Sequence, residues 1–195
     1  QGAPLGTLLH DVFRRFMEYM VKRSERPDQK THRGYLKELA LESIEKWKEV
    51  IPPPSTFAYE REVREILQTC ETFLRDEEER CRAIKPCFFE LSFGVKSEDG
   101  QPAYDAIEIP IKGKGSFLLR GRIDRVDRWG EHLYEVWDYK TGNSYGYKES
   151  DYYKNGRQMQ HVLYSMAAES LLRQHYDKEA SVIRGGYYFP GPKGE

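Results

Sequence analysis

Cysteine is scarce in this chain of 195 residues: Cys70, Cys81 and Cys87 make an odd count with no close-paired spacing. That argues against a disulfide scaffold or a zinc site and fits a reducing, cytoplasmic compartment. Cys70 falls on an apolar helical face, where a thiol belongs to the core rather than to chemistry. No apolar run approaches the length of a membrane span and no signal peptide opens the chain, so no membrane partner is expected. Repeats, low-complexity tracts and a G-x-x-x-x-G-K-[ST] phosphate loop are missing too, so no nucleotide-driven motor is expected in this segment. Neither charge is in excess. Lys and Arg number 31 against 32 Asp and Glu, which gives no global pull towards polyanions yet leaves room for a local basic groove. An initiating methionine is also lacking. The chain opens at Gln1 and stops at Glu195 just past a strand-like segment, so we expect one domain, residues 1–195, excised from a longer polypeptide.

What is present reads as a globular α/β protein, with 32% charged and 13% aromatic residues and length enough to bury a core. In "GTLLHDVFRRFMEYMV" the residues Leu9, Val12, Phe13, Phe16 and Met20 recur at helical spacing. "RGYLKELALESIEKWKEV" predicts a second helix, stopped by Pro52, Pro53 and Pro54. A third carries Val63, Ile66, Leu67, Cys70, Phe73 and Leu74 and ends in the solvated run "RDEEER". From Pro86 the period changes to that of strands: "CFFELSFGV", "IEIPI", "SFLLRGRIDRVDRW" and "LYEVWDYKTG", with turns at "KGKG" and "RWGEH". The helix "RQMQHVLYSMAAESLLRQ" and the strand "SVIRGGYYF" follow. The expected division is a helical layer over 1–83 and a sheet core over 84–195.

Acids interrupt the strands. Asp124 and Asp138 lie symmetrically about residue 131, inside the second turn, so a simple hairpin sets them opposite one another with Cβ atoms roughly 5 Å apart. Two carboxylates at that range repel unless one is protonated, cations neutralise both, or a metal lies between them. Oxygen-only ligands suit Mg²⁺ or Mn²⁺ better than zinc. Glu90, inside "CFFELSF", is a third acid whose burial without a partner is costly. Lys140 shares a strand face with Asp138 and can orient a water whose pKa a metal lowers. An equally simple reading is structural ion pairing, with Arg122, Arg125 and Arg128 serving Asp124 and Asp127, and Lys140 serving Asp138. Spacing alone leaves both open.

Taken in order, "FELSFG", "GRIDRVD", "VWDYKTG" and "RQMQHVLYSMA" resemble the RecB-type branch of the PD-(D/E)XK nuclease superfamily, which includes RecB- and AddB-like helicase–nucleases. The resemblance runs from Gly6 to about Phe189 and implies a restriction-endonuclease-like core, a mixed central sheet flanked by helices. It implies that Glu90, Asp124 and Asp138 bind one or two Mg²⁺ or Mn²⁺ ions, with the Tyr139 carbonyl as a further ligand, and that Lys140 positions the hydrolytic water. Gly6, Thr7 and His10 match a G-[ST]-x-x-H motif, which turns His10 from an edge histidine beside Phe13 and Met17 into a metal or phosphate contact. Gln160 and Tyr164, one helical turn apart, match a Q-x-x-x-Y motif implying DNA contact rather than a helix face bonded to the sheet. Thr141 and Gly142 complete a K-[ST]-G turn, with Thr141 within reach of phosphate. Some relatives carry an iron–sulfur cluster on one early and three late cysteines. No cysteine here precedes His10 or follows Tyr188, so no cluster is expected within this segment.

The function so implied is a metal-dependent deoxyribonuclease acting on single strands or DNA ends in repair or recombination, beside a helicase motor elsewhere in the parent protein. Lys112, Lys114, Lys148, Lys154 and Arg157 are candidates to line a strand channel, and Tyr145, Tyr147, Tyr152 and Tyr153 to stack on bases. For any single one, an ordinary loop residue is the simpler reading. Two competing functions are a noncatalytic DNA-binding or scaffolding module on the same fold and a magnesium enzyme for a small phosphate ester. The presence of all three acids and the lysine favours an enzyme.

Overall fold

The computed structural model describes residues 3–96, 103–140 and 157–188, with side chains for 6–96, 103–140 and 161–188. The chain forms two compact units, one helical and one built on a sheet. The helical unit comprises the chain up to Ala83 together with Tyr139 and Lys140. Its helices are α1 (Ala3–Arg23), α2 (Gln29–Val50) and α3 (Thr56–Arg80). The expected periodicity is what packs it: Leu9, Val12, Phe13, Phe16 and Met20 of α1 are buried, as are Ile66, Cys70, Phe73 and Leu74 of α3. Phe13 stacks on Phe73 at 3.9 Å between ring centroids.

Helix starts follow capping chemistry. Asp28 Oδ1 accepts the Thr31 N–H at 2.7 Å and Ser55 Oγ accepts the Ala58 N–H at 3.1 Å, each satisfying an orphan donor of the first turn. The Asp28 cap starts α2 at Gln29, four residues ahead of the "RGYLKEL" where the apolar pattern places it. Cys70 is buried, and burial pushes its thiol up to about 12, so it is inert filling.

The sheet unit holds β1 (Lys85–Phe93), β2 (Ala103–Tyr104), β3 (Ile107–Ile111), β4 (Gly115–Leu119), β5 (Gly121–Arg128), β6 (Leu133–Tyr139, its last residue counted with the helical unit), α4 (Arg157–His175) and β7 (Ser181–Tyr188). Five strands form one mixed sheet in the order β2-β1-β5-β6-β7, and β3 pairs with β4 in a separate ribbon. The segment "SFLLRGRIDRVDRW" is therefore two strands in two sheets, not one: the chain changes sheet at Arg120. Just past that break, a Cβ on Gly121 would lie 2.8 Å from the Tyr164 hydroxyl on α4, so glycine lets the start of β5 pass beneath that helix without displacing the tyrosine. Ala167, Ala168, Leu171 and Leu172 of α4 pack on Leu91, Phe93, Ile123, Val126 and Val136, closing the core of this unit. No helix among the described residues is long and apolar enough to cross a membrane.

Candidate active site

Strand register does most of the positioning. β5 and β6 pair antiparallel, Arg125 with Trp137 and Val126 with Val136, so the hairpin is centred on residue 131 as its sequence symmetry implies. One step further along that register sets Asp124 abreast of Asp138. On the other side of β5, Phe89 pairs with Arg125 and Leu91 with Ile123, which leaves Glu90 abreast of Asp124. Carried one step past the paired residues, the two registers put Glu90, Asp124 and Asp138 on the adjacent strands β1, β5 and β6. Carboxylate oxygens of Glu90 and Asp124 come within 4.8 Å of one another, and Asp138 does not join them at that range in a three-acid cluster. Asp138 is half-buried, with Oδ2 sealed from solvent.

Glu90 is unusual in its backbone as well. Its φ of 53° lies in the left-handed region, rare for a residue with a Cβ. Strain of this kind persists where the surroundings fix it, and it gathers at functional sites. Arg122 Nη1 stands 3.4 Å from Glu90 Oε2, an ion pair between half-buried side chains. The ion-pairing reading is therefore true of part of the constellation. Arg122 serves Glu90. Arg125 Nε donates to Asp127 Oδ1 at 2.7 Å, both side chains at most 1% exposed. Arg128 instead donates to the Gly130 and Glu131 carbonyls of the turn. The Arg122–Glu90 contact escapes local sequence reading because it depends on β1 meeting β5, which lie some thirty residues apart.

The remaining expected residues fall as follows. His10 is half-buried on α1 with its ring 5.7 Å from that of Tyr139, and Tyr139, the last residue of β6, is buried among His10, Phe13 and Phe73 in the helical unit. Lys140 follows the strand and is half-buried. Tyr164 packs edge-on against Phe93 at 6.0 Å, its hydroxyl over Gly121, so packing is at least part of its work. Thr141, Gly142, Tyr145, Tyr147, Lys148, Tyr152, Tyr153 and Lys154 lie outside the described residues, as do the side chains of Arg157 and Gln160.

Carboxylates issuing from the central strands of a mixed sheet offer the oxygen donors that hard cations take. The model of the PD-(D/E)XK nuclease superfamily matches residues 1–194. The chain belongs to that superfamily. Its mixed α/β architecture is consistent with the PD-(D/E)XK fold, whose members use divalent metals. Among curated proteins it is similar to an ATP-dependent helicase/deoxyribonuclease subunit from Symbiobacterium thermophilum, 37% identical over 111 residues, which is 55% of this chain and 9% of that protein. The protein of the same name from Clostridium perfringens is 39% identical over 80 residues, 38% of this chain and 6% of the relative. The chain thus spans under a tenth of the length of these RecB/AddB-like relatives.

Proposed function

We propose that this chain is the nuclease portion of a helicase–nuclease, a Mg²⁺- or Mn²⁺-dependent deoxyribonuclease hydrolysing phosphodiester bonds of single strands or DNA ends in repair or recombination. The observation that supports this is the approach of the Glu90 and Asp124 carboxylates to within 4.8 Å, on adjacent strands of a chain that belongs to a nuclease superfamily. The donors fit the ion: carboxylate oxygens from Glu90, Asp124 and Asp138, the Tyr139 carbonyl, and His10 as a nitrogen ligand. When bound, the ion supplies Lewis acidity to a phosphodiester oxygen and to water. Lys140 orients the attacking water through its ammonium and offsets the charge growing on the phosphate. Thr141, Gln160 and Tyr164 hold the strand beside the reacting phosphate. DNA and a motor domain of a longer cytoplasmic polypeptide are the partners this reading requires. The helicase/deoxyribonuclease relatives support both.

The test is digestion of end-labelled linear and covalently closed circular single-stranded DNA with Mg²⁺ or Mn²⁺, using the parent, Asp138→Ala and Lys140→Ala. Loss of cleavage in both variants is expected, and a linear-only substrate range would identify an end-dependent enzyme. Calorimetric Mn²⁺ titration should show binding by the parent and its loss in Asp124→Asn. Variants that cut as fast as the parent would refute the assigned site.

A further inference from the structure

The ribbon β3–β4 stands apart from the main sheet, and its outer part is all surface: every residue from Pro110 to Leu118 is exposed. Ile107 and Ile109 are buried against the core of the sheet unit, so the base is anchored while the tip projects. At the tip, Lys114 N–H donates to the Ile111 carbonyl, with Gly113 and Gly115 at φ 74° and 94° forming the turn. Residues 107–120 carry three basic side chains, Lys112, Lys114 and Arg120, against one acid, Glu108. Glu108 is engaged by the Ser116 hydroxyl across the ribbon. Neither Lys112 nor Lys114 makes an ion pair or side-chain hydrogen bond among the described residues. In a chain of net charge −1, the arm thus carries two exposed ammonium groups with no partner among the described residues.

We propose that this arm is a second nucleic-acid contact, in which Lys112 and Lys114 bind backbone phosphates away from the scissile one. The proposal rests on the deoxyribonuclease reading above and extends it to the footprint. Lys114 is ten residues from Asp124, so at most about 33 Å of extended chain separates them. At 3.4 Å per step along a duplex strand, the arm reaches phosphates up to roughly ten steps from the acids. The arm adds affinity and no sequence preference, since phosphate contacts position without reading bases.

The test measures DNA binding against salt, with cleavage silenced by Asp124→Asn and chelator, comparing Lys112→Ala/Lys114→Ala with the same protein carrying both lysines. Each phosphate contact contributes about 0.7 to the log–log slope for a single strand and about 0.9 for a duplex, so the double change should lower the slope by about 1.4 or 1.8. Affinity near 0.1 M salt should fall on the order of tenfold for an oligonucleotide of about 30 residues, long enough to span the acids and the arm. The active parent carrying the two alanines should cut at an unchanged kcat. A control pair, Lys22→Ala/Lys30→Ala, exposed on the helical unit, should leave the slope in place. Binding and cutting that persist with an unaltered slope would overturn the arm while leaving the nuclease intact, and point to an acidic protein instead. An equal fall in the control pair would also overturn it. A parent that neither binds nor cuts DNA would sink the nuclease reading and the arm together.

Discussion

Glu90 allows backbone and chemistry to be separated at one position. In an ordinary strand, glycine is less stable than alanine by about 0.5–1 kcal/mol, because it gives up more conformational freedom. At Glu90 the φ of 53° places any Cβ against its own backbone, a cost of about 1–2 kcal/mol that glycine does not carry. The Arg122 contact at 3.4 Å is lost equally in both replacements and cancels from their difference. Glu90→Gly should therefore be more stable than Glu90→Ala by about 1 kcal/mol, the reverse of the usual order, or about 2–4 °C in Tm for a chain of this size. Urea unfolding gives the comparison, through a higher midpoint for the glycine variant at unchanged m. Under the proposed function neither variant cleaves DNA, so the glycine protein gains stability without activity. An alanine variant as stable as the glycine variant, or more so, would refute the argument that this residue is held in strain.

Asp127→Ala should destabilise by about 3–5 kcal/mol, because it leaves the guanidinium of Arg125 buried without its 2.7 Å partner, while Arg125→Met/Asp127→Leu should recover most of that loss in thermal melts. Gly121→Ala should cost about 1–3 kcal/mol by forcing a Cβ to within 2.8 Å of the Tyr164 hydroxyl, and adding Tyr164→Phe should restore part of it in a double-mutant cycle. Burial tends to raise the Asp177 carboxyl, but hydrogen bonds from the Tyr134 hydroxyl and His132 outweigh it and hold the group below its usual 3.8. Its contribution to stability is present above the unfolded carboxylate value and lost as pH falls through the lower folded one. Asp177→Asn should thus lower Tm at neutral pH and converge with the parent in strong acid, as melting curves across pH will show.

Much of this was readable beforehand because it is local. The helices show in the period of Leu9, Val12, Phe13, Phe16 and Met20, and the β5–β6 register in the symmetry of Asp124 and Asp138 about a turn, which fixes a hairpin's alignment without tertiary information. What escaped reading is non-local. The approach of Tyr164 to Gly121, just past the break at Arg120, joins segments more than forty residues apart. Strand β2, two residues long and parallel to β1, is too short to carry a pattern of its own. The left-handed backbone of Glu90 belongs to a residue type that gives no sign of it. Asp28 as a cap was legible in principle, since an aspartate before a helical run is a start signal.

The buried charges beside Asp124 and Asp138 bear on fidelity of folding. Arg125, Asp127 and Glu135 are almost wholly enclosed on β5 and β6, and Arg184 of β7 reaches Glu135 at 3.4 Å. Were either strand to slide by one residue, these ions would turn into the layer occupied by Val126 and Val136, a misalignment far costlier than an aliphatic slip. The charges thereby act as a proofreading key for the sheet: only the alignment that seats them also brings Asp124 level with Asp138.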